Sequence, residues 1–170
     1  MTVCTEFDNG VRILSRPMPG RRSAALGFWL RNGSRHERPG QSGFAHLVEH
    51  LLFRGGGRYA RHFEVLGGHV NARTMRELTA FHGLVTGDRL RLLARLFTTL
   101  LTEPRLAAAD LAAELPAVRR ERQLAADSPW EGQEAAALGL VLGAHPLGRP
   151  ILGDETGLHS VSIAALQDYL

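Results

Sequence analysis

The stretch GFAHLVEHLLF, residues 43–53, combines the apolar period of a helix with two histidines four residues apart. Five apolar side chains recur at helical spacing and would form one stripe: Phe44, Leu47, Val48, Leu51 and Leu52. Ser42 is of a residue type that caps helix N-termini, and the glycines at 55–57 are typical of a helix end. We therefore predict an amphipathic helix with Ser42 as its N-cap, running to about Phe53.

The opposite face of this helix carries His46, Glu49 and His50. Residues four positions apart lie one turn apart on one face, so both imidazoles could reach a single metal ion. Glu49 lies on the same face and could approach a water molecule on that ion without being a ligand. The alternative is a solvated polar face, but histidine is an uncommon choice for one. The pattern therefore favours a metal site.

A catalytic zinc site usually has three protein ligands, so a further acid or histidine is needed from another element. The helix predicted at 107–126 carries Glu114 and Glu121, seven residues apart and hence on one face. Either could be the third ligand, and both could line one cleft. The alternative is that both are solvated and paired with neighbouring arginines. Pro116 predicts a kink that would displace Glu114 more than Glu121.

Hydrophobic patterns and turn residues predict the remaining elements. Asn9-Gly10 indicates a hairpin with a two-residue turn, and residues 23–33 are apolar enough for a central strand. The other predictions are a short helix at 59–68, a strand pair at 69–75 and 77–87, helices at 88–103 and 129–144, a loop at 145–157 and a helix at 162–170. We predict a single domain, residues 1–170, of the α+β class: an antiparallel or mixed sheet covered on one face by helices.

Composition excludes several classes of function. The net charge of +3 is carried by arginines that are interleaved with acidic or apolar residues, without the basic and aromatic stripe of a nucleic-acid groove. The single cysteine, Cys4, rules out an internal disulfide and a thiolate-rich zinc site. Charged residues occupy positions 6, 8 and 12, where a signal peptide would be apolar, and no apolar run could span a bilayer. We expect a bacterial cytoplasmic protein that neither crosses a membrane nor binds nucleic acid.

Four segments in order resemble one protein family: residues 9–57, 66–81, 114–130 and 145–162. The first contains His46-Leu-Val-Glu49-His50, which matches the inverted zinc motif HxxEH of the inverzincins. The chain thus resembles the pitrilysin/insulinase zinc metallopeptidases. This family includes mitochondrial processing peptidase-like proteins and the peptidases of pyrroloquinoline quinone biosynthesis.

The resemblance implies a role for each matching residue. His46, His50 and Glu121 would bind Zn²⁺, and Glu49 would be the general base. Glu114 would lie outside the coordination shell and orient a histidine.

The second segment, LGGHVNARTMRELTAF, would form the strand that binds the substrate. Asn71 and Ala72 on this strand would bind the backbone of an extended peptide. Glu77 would fix the strand rather than take part in catalysis.

The resemblance implies a zinc-dependent metalloendopeptidase that hydrolyses peptides. One substrate it suggests is a small ribosomally made peptide that the enzyme would mature. Family enzymes are built from two or more related halves, and this chain matches most of one, an N-terminal-type half. A second subunit or a second copy would then supply the missing half. The alternative is a non-catalytic subunit that binds peptide or scaffolds a heterodimeric peptidase. Such relatives usually have an eroded zinc motif, whereas all three motif residues are present here.

Overall fold

The computed structural model describes residues 1–53 and 60–170, which form five β-strands and seven α-helices. The strands are β1 (Val3–Glu6), β2 (Arg12–Ser15), β3 (Ser23–Leu30), β4 (His69–Thr74) and β5 (Thr79–Thr86). The helices are α1 (Phe44–Phe53), α2 (Ala60–Val65), α3 (Leu90–Thr102), α4 (Ala108–Asp127), α5 (Pro129–Leu142), α6 (Glu155–His159) and α7 (Ile163–Tyr169). The predicted glycine stop at 55–57 lies outside the described residues.

The predicted N-terminal hairpin is confirmed, but its turn differs from the prediction. β1 pairs antiparallel with β2, and Glu6 is opposite Arg12 at the end of the ladder. The amide of Gly10 donates to the carbonyl of Phe7 at 2.8 Å, and Gly10 has a φ of +82°. A two-residue turn of the Asn-Gly type needs a positive φ at both residues. Only the glycine adopts one, so the loop spans residues 8–10.

The main sheet has the strand order β3-β5-β4, and both pairings are antiparallel. β5 is therefore the central strand, and β3, for which a central position was predicted, lies at an edge of this sheet. β5 alternates between exposed and buried residues along most of its length, and its Phe81 is fully buried. The sheet presents this buried face to the helices, as the predicted α+β class requires.

The core lies between this sheet and the helices α1 and α3. The predicted apolar stripe of α1 is buried throughout, with Leu47 fully buried. The ring of Phe97 on α3 contacts the rings of Phe28, Phe63 and Phe81 at centroid distances of 5.9, 5.8 and 6.3 Å. These contacts pack α3 against the sheet strands β3 and β5 and against α2.

Helix α4 packs against α1, contributes the fully buried Val118 to the core, and runs without interruption through Pro116. Residues 145–157, predicted as a loop, contain a 3₁₀ helix at Pro146–Gly148 and the start of α6. The carboxylate of Asp154 accepts from the amide of Gly157 at 2.8 Å and caps α6. A five-residue helix is too short to show a hydrophobic period, which explains why it was not predicted. Within the described ranges, every helix is too short or too polar to span a membrane.

Candidate metal centre

The centre begins with α1, whose N-terminus is held by an acid that lies outside the helix. α1 starts at Phe44, and the buried carboxylate of Glu37 accepts from the amides of Gly43 at 3.1 Å and Ala45 at 2.9 Å. Ser42 is therefore not the cap, contrary to the prediction. Gly43 precedes the helix with a φ of +91° and has no side chain, so an acceptor must come from elsewhere.

Glu37 is 2% exposed, and this burial raises the pKa of its carboxyl to about 7. The two amides and Arg149 act in the opposite direction and lower the pKa, but burial has the larger effect. The guanidinium of Arg149 donates to the carbonyls of Arg35 and Glu37. The backbone of Gly43 also packs closely against that of Gly153. A Cβ atom added to Gly153 would lie only 2.5 Å from the Gly43 Cα. The start of α1 is thus fixed from both sides.

The structure brings His46, His50 and Glu121 together. The two imidazole centroids are 4.5 Å apart on successive turns of α1. Oε2 of Glu121 lies 3.7 Å from Nε2 of His46 and 3.3 Å from Nε2 of His50. Both histidines are buried, at 5% and 4% exposure, on a helix against which α4 packs.

The geometry of these three groups fits a zinc ion. Each offers one ligand atom, and these atoms all lie within 4.8 Å of one another. Ligands about 2.0–2.1 Å from a tetrahedral ion lie roughly 3.3 Å apart, close to the separations of Oε2 from the two imidazole nitrogens. Two imidazoles and a carboxylate are also a donor set that zinc accepts.

Glu114 contacts the other nitrogen of His50, with its Oε2 atom 3.2 Å from Nδ1. The His50 ring therefore lies between two carboxylates, both of which only accept hydrogen bonds when ionised. A neutral imidazole can donate from one nitrogen only. Donation from Nδ1 to Glu114 leaves a lone pair on Nε2 facing an oxygen of Glu121, and a cation between them removes that repulsion.

Glu49 belongs to the same face of α1 but not to the set of three potential ligands. Its Oε2 atom accepts a hydrogen bond from the hydroxyl of Thr74 at 3.0 Å. Thr74 is the last residue of β4, so this bond connects α1 to the sheet. Neither Thr74 nor Glu37 was predicted as a site residue. Thr74 contacts Glu49 across 25 residues of sequence, and Glu37 reaches the helix start from a loop six residues before Gly43.

β4 is an edge strand of the main sheet and carries the two residues that were predicted to bind substrate. Asn71 is exposed and Ala72 is partly buried. The side-chain oxygen of Asn71 accepts from the amide of Ala72 at 2.9 Å. Glu77, just after β4, forms an ion pair with Arg35, in line with the structural role predicted for it.

The profile of the insulinase family, peptidase family M16, matches residues 12–155. This chain belongs to the insulinase family. This match confirms the family resemblance predicted from the sequence, and the observed strands and helices confirm the predicted α+β class. A zinc protease of Mycobacterium tuberculosis is 32% identical over an alignment of 170 positions, which covers 97% of this insulinase-family chain and 39% of that protein.

Two solved structures share the fold of this insulinase-family chain. A protease from Helicobacter pylori matches 99% of this chain and 42% of its own, with a TM-score of 0.91 and 22% identity. The inactive domain of an M16 peptidase from Pseudomonas fluorescens matches the same shares, with a TM-score of 0.88 and 18% identity. The chain spans about two fifths of the length of the relatives it matches.

Proposed function

We propose that this chain is the zinc-bearing catalytic half of a metalloendopeptidase. One observation carries the proposal: a carboxylate of α4 meets the two imidazoles of α1 at zinc-ligand spacing. Glu49 lies one residue before His50 on the same helix face, as the inverted motif requires. Relatives that are named zinc proteases support the same conclusion.

His46, His50 and Glu121 would hold the metal. Bound zinc would supply a Lewis acid and a nucleophilic water at neutral pH. Glu49 would accept the proton of the attacking water and return it to the leaving amine nitrogen. Glu114 would keep the Nδ1 proton of His50 in place, so that Nε2 presents its lone pair to the site.

The proposed substrate is an extended peptide that adds to β4, an edge strand of the sheet formed by the described residues. Backbone hydrogen bonds to an edge strand give affinity without regard to sequence, and flanking pockets give selectivity. Asn71 and Ala72 lie on this edge strand, and Thr74 joins it to Glu49. A peptide bound along β4 would therefore lie beside the proposed base.

We further propose that a second half, from another subunit or a second copy of this chain, closes over the peptide. The support is the length of the match, since the chain spans 39% of a zinc protease relative. Purification from the native host would identify this partner. Peptide cleavage should then be assayed with the complex as well as with the chain alone.

The test compares the parent with Glu49→Gln and with the double variant His46→Ala, His50→Ala. Elemental analysis should find about one zinc per chain in the parent and in Glu49→Gln. Only the parent complex should cleave a fluorogenic peptide library. Zinc retained in the double variant would refute the site. A parent complex that holds zinc and binds peptide without cleaving it would establish the non-catalytic alternative instead.

A further inference from the structure

Thr74 occupies an unusual position between the two functional parts of the proposed site. It ends β4 with 7% exposure, and its hydroxyl donates to Oε2 of Glu49 at 3.0 Å. Its partner across the ladder, Thr79, is equally buried, but the Thr79 hydroxyl donates to the carbonyl of Asn32. Of these two facing threonines, Thr74 is the one that contacts the proposed base.

A glutamate side chain has three rotatable bonds, and a general base works only when its oxygen lies within hydrogen-bond reach of the proton it takes. A donor fixed on a neighbouring rigid element restricts those rotations. Threonine suits this task because branching at Cβ makes its χ1 angle stiff. The hydrogen bond from Thr74 therefore fixes Glu49 from the sheet side, while α1 fixes it through the backbone.

The same strand carries the proposed substrate edge. Thr74 lies two residues after Ala72, so the two side chains point to the same face of the sheet. A peptide that pairs with β4 would restrict the motion of the strand backbone and therefore of the Thr74 hydroxyl. The orientation of the base would then depend on the strand that binds the peptide.

We propose that Thr74 is a positioning residue that orients Glu49 and couples it to occupation of β4. This inference rests on the proposed peptidase function. It predicts that loss of the hydroxyl slows the chemical step without weakening peptide binding.

The experiment uses the zinc-loaded complex and three variants: Thr74→Val, Thr74→Ser and Thr79→Val. Thr74→Val should lower kcat by ~10-fold to ~100-fold, the range for a lost hydrogen bond to a charged group, with KM within about twofold of the parent. Thr74→Ser should restore most of kcat because it keeps the donor. Thr79→Val is the matched control, since it removes a buried strand hydroxyl that does not contact Glu49. It should lower Tm but leave kcat within about twofold.

Two readouts separate positioning from a structural role. Zinc content should stay at about one per chain in Thr74→Val, because Thr74 is not a ligand. In the infrared spectrum of the same protein, Thr74→Val should shift a carboxylate band, and the shift should disappear in a Glu49→Gln background. The inference would be overturned if kcat of Thr74→Val lay within twofold of the parent. It would also be overturned if the shift of the carboxylate band persisted in the Glu49→Gln background. If the parent complex cleaves no peptide, the proposed function itself has failed, whereas an active parent with an equally active Thr74→Val defeats only the role of Thr74.

Discussion

Nδ1 of His50 lies 3.2 Å from Oε2 of Glu114, whereas the other ring nitrogen, Nε2, faces Glu121. Glu114 is largely buried, with 17% of its side chain exposed, whereas 49% of the Glu121 side chain is exposed. The two acids of α4 thus have different tasks in the proposed centre. Glu121 would reach the metal position, and Glu114 would orient a ligand.

This difference predicts unequal effects on zinc affinity. Glu114→Ala should weaken zinc binding by about 10-fold to 100-fold while one ion still binds at saturation. Glu121→Ala removes a ligand and should weaken binding further. Competition with a chromophoric chelator measures both. Asp127→Ala, at the end of the same helix, is the control and should bind zinc like the parent; equal affinities for Glu114→Ala and the parent would contradict the assignment.

Glu37 predicts a specific pH dependence of stability. Its folded pKa of about 7 lies above the ordinary value of 4.5, so the folded state holds the proton more tightly than the unfolded state. The stabilisation is fully present below pH 4.5 and is lost as the pH rises through 7. At about 1.4 kcal/mol per pKa unit, the loss amounts to roughly 2–3 kcal/mol between pH 5 and 8.

Urea unfolding of the zinc-free protein and of Glu37→Gln at both pH values measures this contribution. The glutamine is neutral throughout, so the parent should lose about 2–3 kcal/mol of unfolding free energy relative to the variant on going from pH 5 to pH 8. The other ionisable groups are common to both proteins, so their contributions cancel in the comparison. A difference in stability between parent and variant that is the same at the two pH values would refute the raised pKa.

Phe97 is expected to make a large contribution to core stability. Its ring is fully buried against three other aromatic rings. Phe97→Ala should lower the free energy of unfolding by about 3–5 kcal/mol, since it removes buried apolar surface and leaves a cavity. Leu140→Ala, at a residue that is 88% exposed, should change it by less than about 0.5 kcal/mol. Chemical denaturation at one pH compares the two, and a similar loss in both would contradict the assigned core.

The sequence predicted the parts of this molecule that follow from local periodicity. The apolar stripe of α1 and the stacking of His46 on His50 depend only on residues within one helix. The residues alone did not distinguish Glu114 from Glu121, because that choice depends on how α4 packs across α1. The capping acid was missed for a similar reason. Helix caps are sought next to the first turn, whereas Glu37 reaches it from a preceding loop.

Gly43 and Gly40 allow backbone strain to be separated from crowding. Both have a positive φ, +91° and +86°, but a Cβ atom would meet Gly153 only at Gly43, at 2.9 Å. Gly40→Ala should cost about 1–2 kcal/mol from the left-handed conformation alone. Gly43→Ala should cost more and should also weaken zinc binding, because the first turn of α1 must shift. Denaturation and chelator competition test this, and equal losses in the two variants would show that the contact has no energetic role.

The hold of Arg149 and Gly153 on the start of α1 has a consequence for biosynthesis. All the proposed metal ligands have been translated once Glu121 is added, yet the residues that lock the first helical turn follow later. A nascent chain that ends between residues 121 and 149 contains the proposed ligands but lacks Arg149 and Gly153, which hold the start of α1. We therefore expect the proposed metal site to reach its final geometry only after the segment around residue 153 has left the ribosome.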